Sequence, residues 1–194
     1  MTLGIDLSLR STGLFFKGEY EAFKLITPKK IDEEELIIKM TSEICDFIDE
    51  HKPTKIGLEG LSFNSVSSSK DIIAGNFWYL RATIFQKYPD IKVEIIPVLT
   101  WRNPLFSKAD NKIFTLDKKL LATTKKEQNY DKMSRAEKLH FAGEYRELIL
   151  NANIKYLTYL KLPENVKALF SKYSYGDGLF DLTDAYWICD YINK

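Results

Sequence analysis

Four acidic residues stand where solvated surface charge is not expected. Asp6 closes one apolar stretch, MTLGID, and Glu59 closes another, KIGLEG. Asp181 and Asp184 are three residues apart at the start of an apolar helical stretch, DLTDAYWI, so they share a helix face. A strand that is otherwise buried should not end in a carboxylate without a partner, because a lone buried charge is strongly unfavourable. A divalent cation is one partner that answers several acids at once. Hard oxygen ligands suit Mg²⁺ or Mn²⁺ far better than zinc. Two such ions about 3.5–4 Å apart can activate a water and stabilise the leaving oxygen in phosphodiester hydrolysis. Taken singly, each acid also has a structural reading. An acid just past a strand is a common turn residue, Asp181 would make an N-cap for the last helix, and a helix N-terminus favours an acid such as Asp184. The combination is what points to chemistry.

The elements that must position these acids are readable from periodicity. Thr2 to Asp6 reads as a buried strand, and Gly13 to Ile26 as a hairpin turning near Gly18. Asp32 and Glu35 fit a capping box ahead of a helical apolar pattern at Leu36, Ile37, Met40, Ile44, Phe47 and Ile48, with Pro53 beyond its end. Lys55 to Glu59 is a strand, Asp71 to Tyr88 a helix, Lys92 to Val98 a strand. From Trp101 to about Tyr130 the pattern weakens. Ser134 and Glu137 then form a second capping box, opening a helix towards Asn151, and a short helical piece starts at Leu162-Pro163-Glu164. Tyr175 to Gly178 is a loop, and Asp181 to Tyr191 the last helix. Three extended segments followed by helix, strand, helix and strand argue for an α/β layer fold.

The 194 residues suit one domain, 1–194, carrying a basic variable segment at about 101–160. Between Trp101 and His140 there are ten Lys or Arg against five Asp or Glu, while the remainder carries eighteen against twenty-two. An acidic body with a basic arm suits a phosphate-binding protein, and a solvated lysine-rich helix gives the same count. No apolar run approaches the roughly 20 residues that cross a bilayer, and the start MTLGIDLS lacks the features of a signal peptide. With Cys45 and Cys189 as its two cysteines, the chain has neither a disulfide framework nor a thiolate zinc site. Both points lead us to expect an intracellular, cytoplasmic protein away from membranes.

The motifs carrying the acids resemble those of a known family. GIDLSLRSTG looks like the first motif of the RuvC-like Holliday-junction resolvases, a branch of the ribonuclease H-like superfamily. GLEGLSF resembles their second acidic motif and DLTDAYWI their closing D-x-x-D-A helix, in the same order over nearly the whole chain. The resemblance implies a ribonuclease H-like α/β fold, a mixed central sheet with helices on both faces. It implies that Asp6, Glu59, Asp181 and Asp184 hold two Mg²⁺ ions, with Mn²⁺ able to substitute. It also implies a homodimer that nicks the strands of four-way DNA junctions, and it extends to members carried by phages, which act in the host cytoplasm. The chain departs from the cellular pattern where Leu7, Ser8 and Leu9 stand in place of Pro-Gly-Ser. Phe63, the candidate for the aromatic that family members push into the junction, sits one place beyond the cellular position.

Supporting residues read in two ways. Ser11 follows Asp6 in a turn that can approach a phosphate, or is simply a turn; Arg10 contacts phosphate or faces solvent. Asn64 and the serines up to Lys70 lie in a loop suited to hydrogen-bonding phosphate and sugar, or to plain exposure. Arg102, Lys108, Lys112, Lys118, Lys119, Lys125 and Lys126 are the candidate DNA track, with Trp101 interleaved to stack on unpaired bases; the other reading makes Trp101 core and the lysines a solubilising face. Flap and RNA–DNA hybrid substrates remain alternatives to the junction, because specificity lies in loops. The phosphate loop of actin-like ATPases resembles the first motif too, but those enzymes need two such domains. A catalytically silent DNA-binding module is the reading from another class, and the presence of all four acids argues against it.

Overall fold

Alternation along the first strand decides how the fold is built. In β1 (Thr2–Asp6) Leu3 and Ile5 point to one side, and Thr2, Gly4 and Asp6 to the other. The computed structural model describes residues 1–9, 11–28, 32–61, 70–174 and 176–194, Lys70 by its backbone alone. β2 (Thr12–Lys17) and β3 (Glu21–Ile26) form the expected hairpin, with Gly18 in its turn, and pair antiparallel beside β1. β4 (Lys55–Glu59) pairs parallel on the other side of β1, and β5 (Lys92–Ile96) parallel beyond it. The order β3-β2-β1-β4-β5 makes a mixed five-stranded sheet. β5 stops two residues short of the predicted Val98, because Pro97 has no N–H to continue the ladder.

The chain divides into two units, Met1–Arg102 with Glu164–Lys194, and Asn103–Pro163. In the first, Leu3, Ile5, Leu14, Phe16, Ile56 and Leu58 pack with Met40, Ile44 and Ile48 of α1 (Glu33–His51) and with Leu80 and Ile84 of α2 (Lys70–Lys87). The opposite sheet face carries α9 (Leu179–Ile192): the Thr2 hydroxyl lies 3.2 Å from Cys189 Sγ, and the Phe15 ring meets Tyr186 edge-on at 4.9 Å. Phe170 of α8 (Glu164–Phe170) also meets the Phe15 ring, at 6.0 Å. The sheet is thus mixed with helices on both faces, the ribonuclease H-like arrangement expected above. α3 (Val98–Arg102) completes this unit.

Several local expectations are corrected. Asp32 is the N-cap of α1 but its side chain makes no capping hydrogen bond; Glu33, Glu34 and Glu35 in the first turn face the positive end of the helix dipole. The weakly patterned stretch after Trp101 holds a 20-residue helix, α4 (Lys108–Glu127), opened by a full capping box between Ser107 and Asp110. Ile113, Leu116 and Leu120 recur along it at helical spacing, three and four residues apart, yet they are exposed. The Ser134–Glu137 box forms as expected, but the helix it opens, α5 (Arg135–Glu144), breaks at Tyr145, and α6 (Arg146–Asn151) and α7 (Ile154–Leu160) follow. Within the second unit Phe141 is buried, between the rings of Tyr130 and Tyr145 at 5.0 and 4.5 Å. No helix among the described residues is long and apolar enough to cross a membrane.

Candidate active site

Two strands end in the same three-residue pattern, Gly4-Ile5-Asp6 in β1 and Gly57-Leu58-Glu59 in β4. Gly4 pairs with Gly57 and Ile5 with Leu58, so Asp6 and Glu59 are each the next residue of neighbouring parallel strands. Strand alternation puts both acids on the face that carries α9, two residues along from the glycines. There the glycines leave room for the helix. A Cβ on Gly4 would run into the Ala185 carbonyl and the Cys189 backbone, so α9 lies directly on the strand.

The same device seats the start of α9. Gly13 is the antiparallel partner of Asp6, and a Cβ on Gly13 would strike the backbone of Asp181 and Leu182. The first turn of α9, with Asp181, therefore rests on the strand next to Asp6, and Asp184 follows one turn on along the same helix face. The N-cap is Gly178, and Asp181 stands at the third helical position, so the capping reading of Asp181 is set aside. The Ser11 hydroxyl donates a hydrogen bond to Asp181 Oδ2. Asp6 is 7 % exposed and Asp184 1 %, a depth at which a carboxylate must find positive charge or several donors.

Asp184 is met by Arg102, the last residue of α3, whose Nη2 lies 3.1 Å from Asp184 Oδ2. The guanidinium carbon sits 4.6 Å from the centre of the Trp101 ring, and Trp101 is itself 2 % exposed. Trp101 thus occupies the core place rather than an open stacking surface, and Arg102 faces a carboxylate inside its own unit. Lys108, Lys112, Lys118, Lys119 and Lys126 are exposed along α4, and the half-buried Lys125 has its ammonium 4.7 Å from the Tyr130 ring centre. Arg10, Phe63 and Asn64 lie outside the described residues, as does the side chain of Lys70.

Four acids from three separate stretches of chain thus lie towards one end of the sheet. Their donor set is entirely hard oxygen, which fits a divalent cation of the Mg²⁺ class. Among the described residues, however, no three His, Cys, Asp or Glu side chains gather into a group able to hold a metal ion. Asp181 accepts a hydrogen bond from Ser11, and Asp184 pairs with Arg102. Two features of the site go beyond the sequence expectations. The Arg102–Asp184 pair has no local signal in the chain, whereas the repeated Gly-apolar-acid pattern is visible there. Glycine two places before an acid on a strand marks a helix lying close on the acid's own face.

No protein-family model matches the chain, and no curated protein does. Among solved structures, the RuvC of Thermus thermophilus in complex with a Holliday junction substrate is similar at a TM-score of 0.46 and 11 % identity, over 56 % of this chain and 71 % of that one. A second structure of Thermus thermophilus RuvC is similar at 0.45 and 12 %, over 56 % of this chain and 73 % of the other.

Proposed function

We propose that this chain is a metal-dependent endonuclease that resolves four-way DNA junctions by phosphodiester hydrolysis, acting as a homodimer. The observation that carries the reading is the seating of the first turn of α9 on Gly13, the strand partner of Asp6, with Glu59 next in register. Asp6, Glu59, Asp181 and Asp184 would hold two Mg²⁺ ions, for which Mn²⁺ substitutes. When bound, such ions supply water activation and charge stabilisation at the leaving oxygen. The protein's own part is positioning. Asp6 and Glu59 are fixed by hydrogen-bonded strands, and Ser11 orients Asp181. The lysines of α4 take DNA phosphates, an interaction that positions the substrate without reading its sequence.

The test is a cleavage assay with Mg²⁺ on four-way, flap, plain duplex and RNA–DNA hybrid substrates at one salt concentration. The four-way junction is expected to be cut in preference to the rest. Asp6→Asn is expected to abolish cutting and to leave junction binding largely intact. Equal cutting of plain duplex removes the junction assignment, and wild-type cutting by Asp6→Asn removes the site.

A further inference from the structure

Asp184 is the most deeply buried of the four acids, and one partner facing it carries a full positive charge. The Arg102 side chain is only 14 % exposed, and its Nε has no hydrogen-bond partner among the described residues. The guanidinium is thus engaged with Asp184 through Nη2 while its Nε side stays unused, and it leans on the Trp101 ring. A guanidinium held this way has a second resting place, because stacking on an aromatic face survives loss of the carboxylate. For Asp184, by contrast, losing the guanidinium removes a compensating charge at a site 1 % exposed, and breaking a buried pair is unfavourable unless another cation takes its place.

We propose that Arg102 is a built-in counter-ion that competes with a divalent cation for Asp184, so that loading the site requires the guanidinium to leave. The inference rests on the nuclease reading above. Its basis is electrostatic. A guanidinium and a divalent cation on one small carboxylate repel each other, and in surroundings this poor in water the repulsion is only weakly screened. Arg102 therefore protects the fold when no cation is present and sets a threshold of cation concentration for loading. It acts as a positioning residue for Asp184, not as a DNA contact.

The experiment is Mn²⁺ binding to the full chain by isothermal titration calorimetry. Wild type is compared with Arg102→Gln, Arg102→Lys, Asp184→Asn and the double variant Arg102→Gln with Asp184→Asn. Arg102→Gln is expected to bind Mn²⁺ about tenfold more tightly than wild type, the effect of removing one charge-assisted competitor. Arg102→Lys, which keeps the charge, is expected to stay close to wild type. In the Asp184→Asn background the gain from Arg102→Gln is expected to vanish, as a double-mutant cycle requires of groups that act on each other. Equal or weaker binding by Arg102→Gln overturns the counter-ion role and leaves the metal site standing. A gain that persists without the Asp184 charge also overturns it, because the effect is then a general field. Absence of Mn²⁺ binding from wild type and Arg102→Gln alike overturns both this inference and the nuclease reading. Crystals of the wild type grown with Mn²⁺ decide the matter even if the variants fail to fold. Arg102 is expected off Asp184 there, and a retained pair beside a bound ion overturns the proposal.

Discussion

Asp181 and Asp184 sit on one turn of one helix, yet they answer to different partners. Asp181 accepts from the Ser11 hydroxyl, contributed by the turn between β1 and β2, and Asp184 faces the Arg102 guanidinium from the end of α3. A hydroxyl orients a carboxylate without neutralising it, whereas a guanidinium does both. Ser11→Ala is therefore expected to lower the single-turnover cleavage rate by about tenfold, the usual scale for one hydrogen bond to a charged group, with junction affinity little changed. An unchanged rate would show that the hydroxyl has no part in aiming Asp181. The acids themselves are legible in the sequence, because each closes or opens an apolar stretch. Their partners are not: nothing local relates Ser11 to a residue 170 positions away.

At the scale of elements, one helix on one sheet face does most of the assembly. α9 lies against β1 and β2 at points where side chains are missing, and the strand acids stand beside those points. Gly13→Ala is expected to push the first turn of α9 off the strand, at about 1–3 kcal/mol for a methyl forced into packed backbone. Chemical denaturation measures that destabilisation, and cleavage is expected to fall further than stability does, since Asp181 lies in that turn and Asp184 in the next. Gly143→Ala is the control. A Cβ there meets nothing within 4 Å, in the last turn of the second unit's helix α5, so a small gain of up to about 1 kcal/mol is expected. Equal destabilisation by the two substitutions would show that Gly13 is ordinary. The capped helix at Ser134 is read from the sequence, while α4, capped in the same way by Ser107 and Asp110, is missed. Its Ile113, Leu116 and Leu120 keep helical spacing and Ser107 with Asp110 caps its start, but lysines dominate its composition and draw the reading to charge.

At the scale of the whole molecule, positive charge is concentrated in the unit Asn103–Pro163 and the acids in the unit built on the sheet. On α4, Lys108, Lys112, Lys119 and Lys126 are spaced at four, seven and seven residues, which brings them to one side of the helix. Changing these four to Gln is expected to weaken junction binding. It is also expected to flatten the slope of log affinity against log salt by roughly 0.9 for each duplex phosphate that is no longer neutralised. Binding measured from low to moderate salt checks this, and an unaltered slope would make the stripe a solubilising face. Trp101 and Arg102, which precede this unit, group with the lysines by their place in the chain alone. Burial separates them: sequence neighbours share composition, not environment.

By itself the sequence determined the strands, the hairpin, most helices and the four acids, because periodicity, capping and turn preferences are settled among residues a few positions apart. Only the tertiary structure decided what each acid meets. Strand register set Asp6 beside Glu59, the close approach at Gly4 and Gly13 brought α9 to them, and the path of the chain through α3 delivered Arg102 to Asp184. These are pairings across tens to more than a hundred residues. They follow from how whole surfaces fit, which no short stretch of chain encodes.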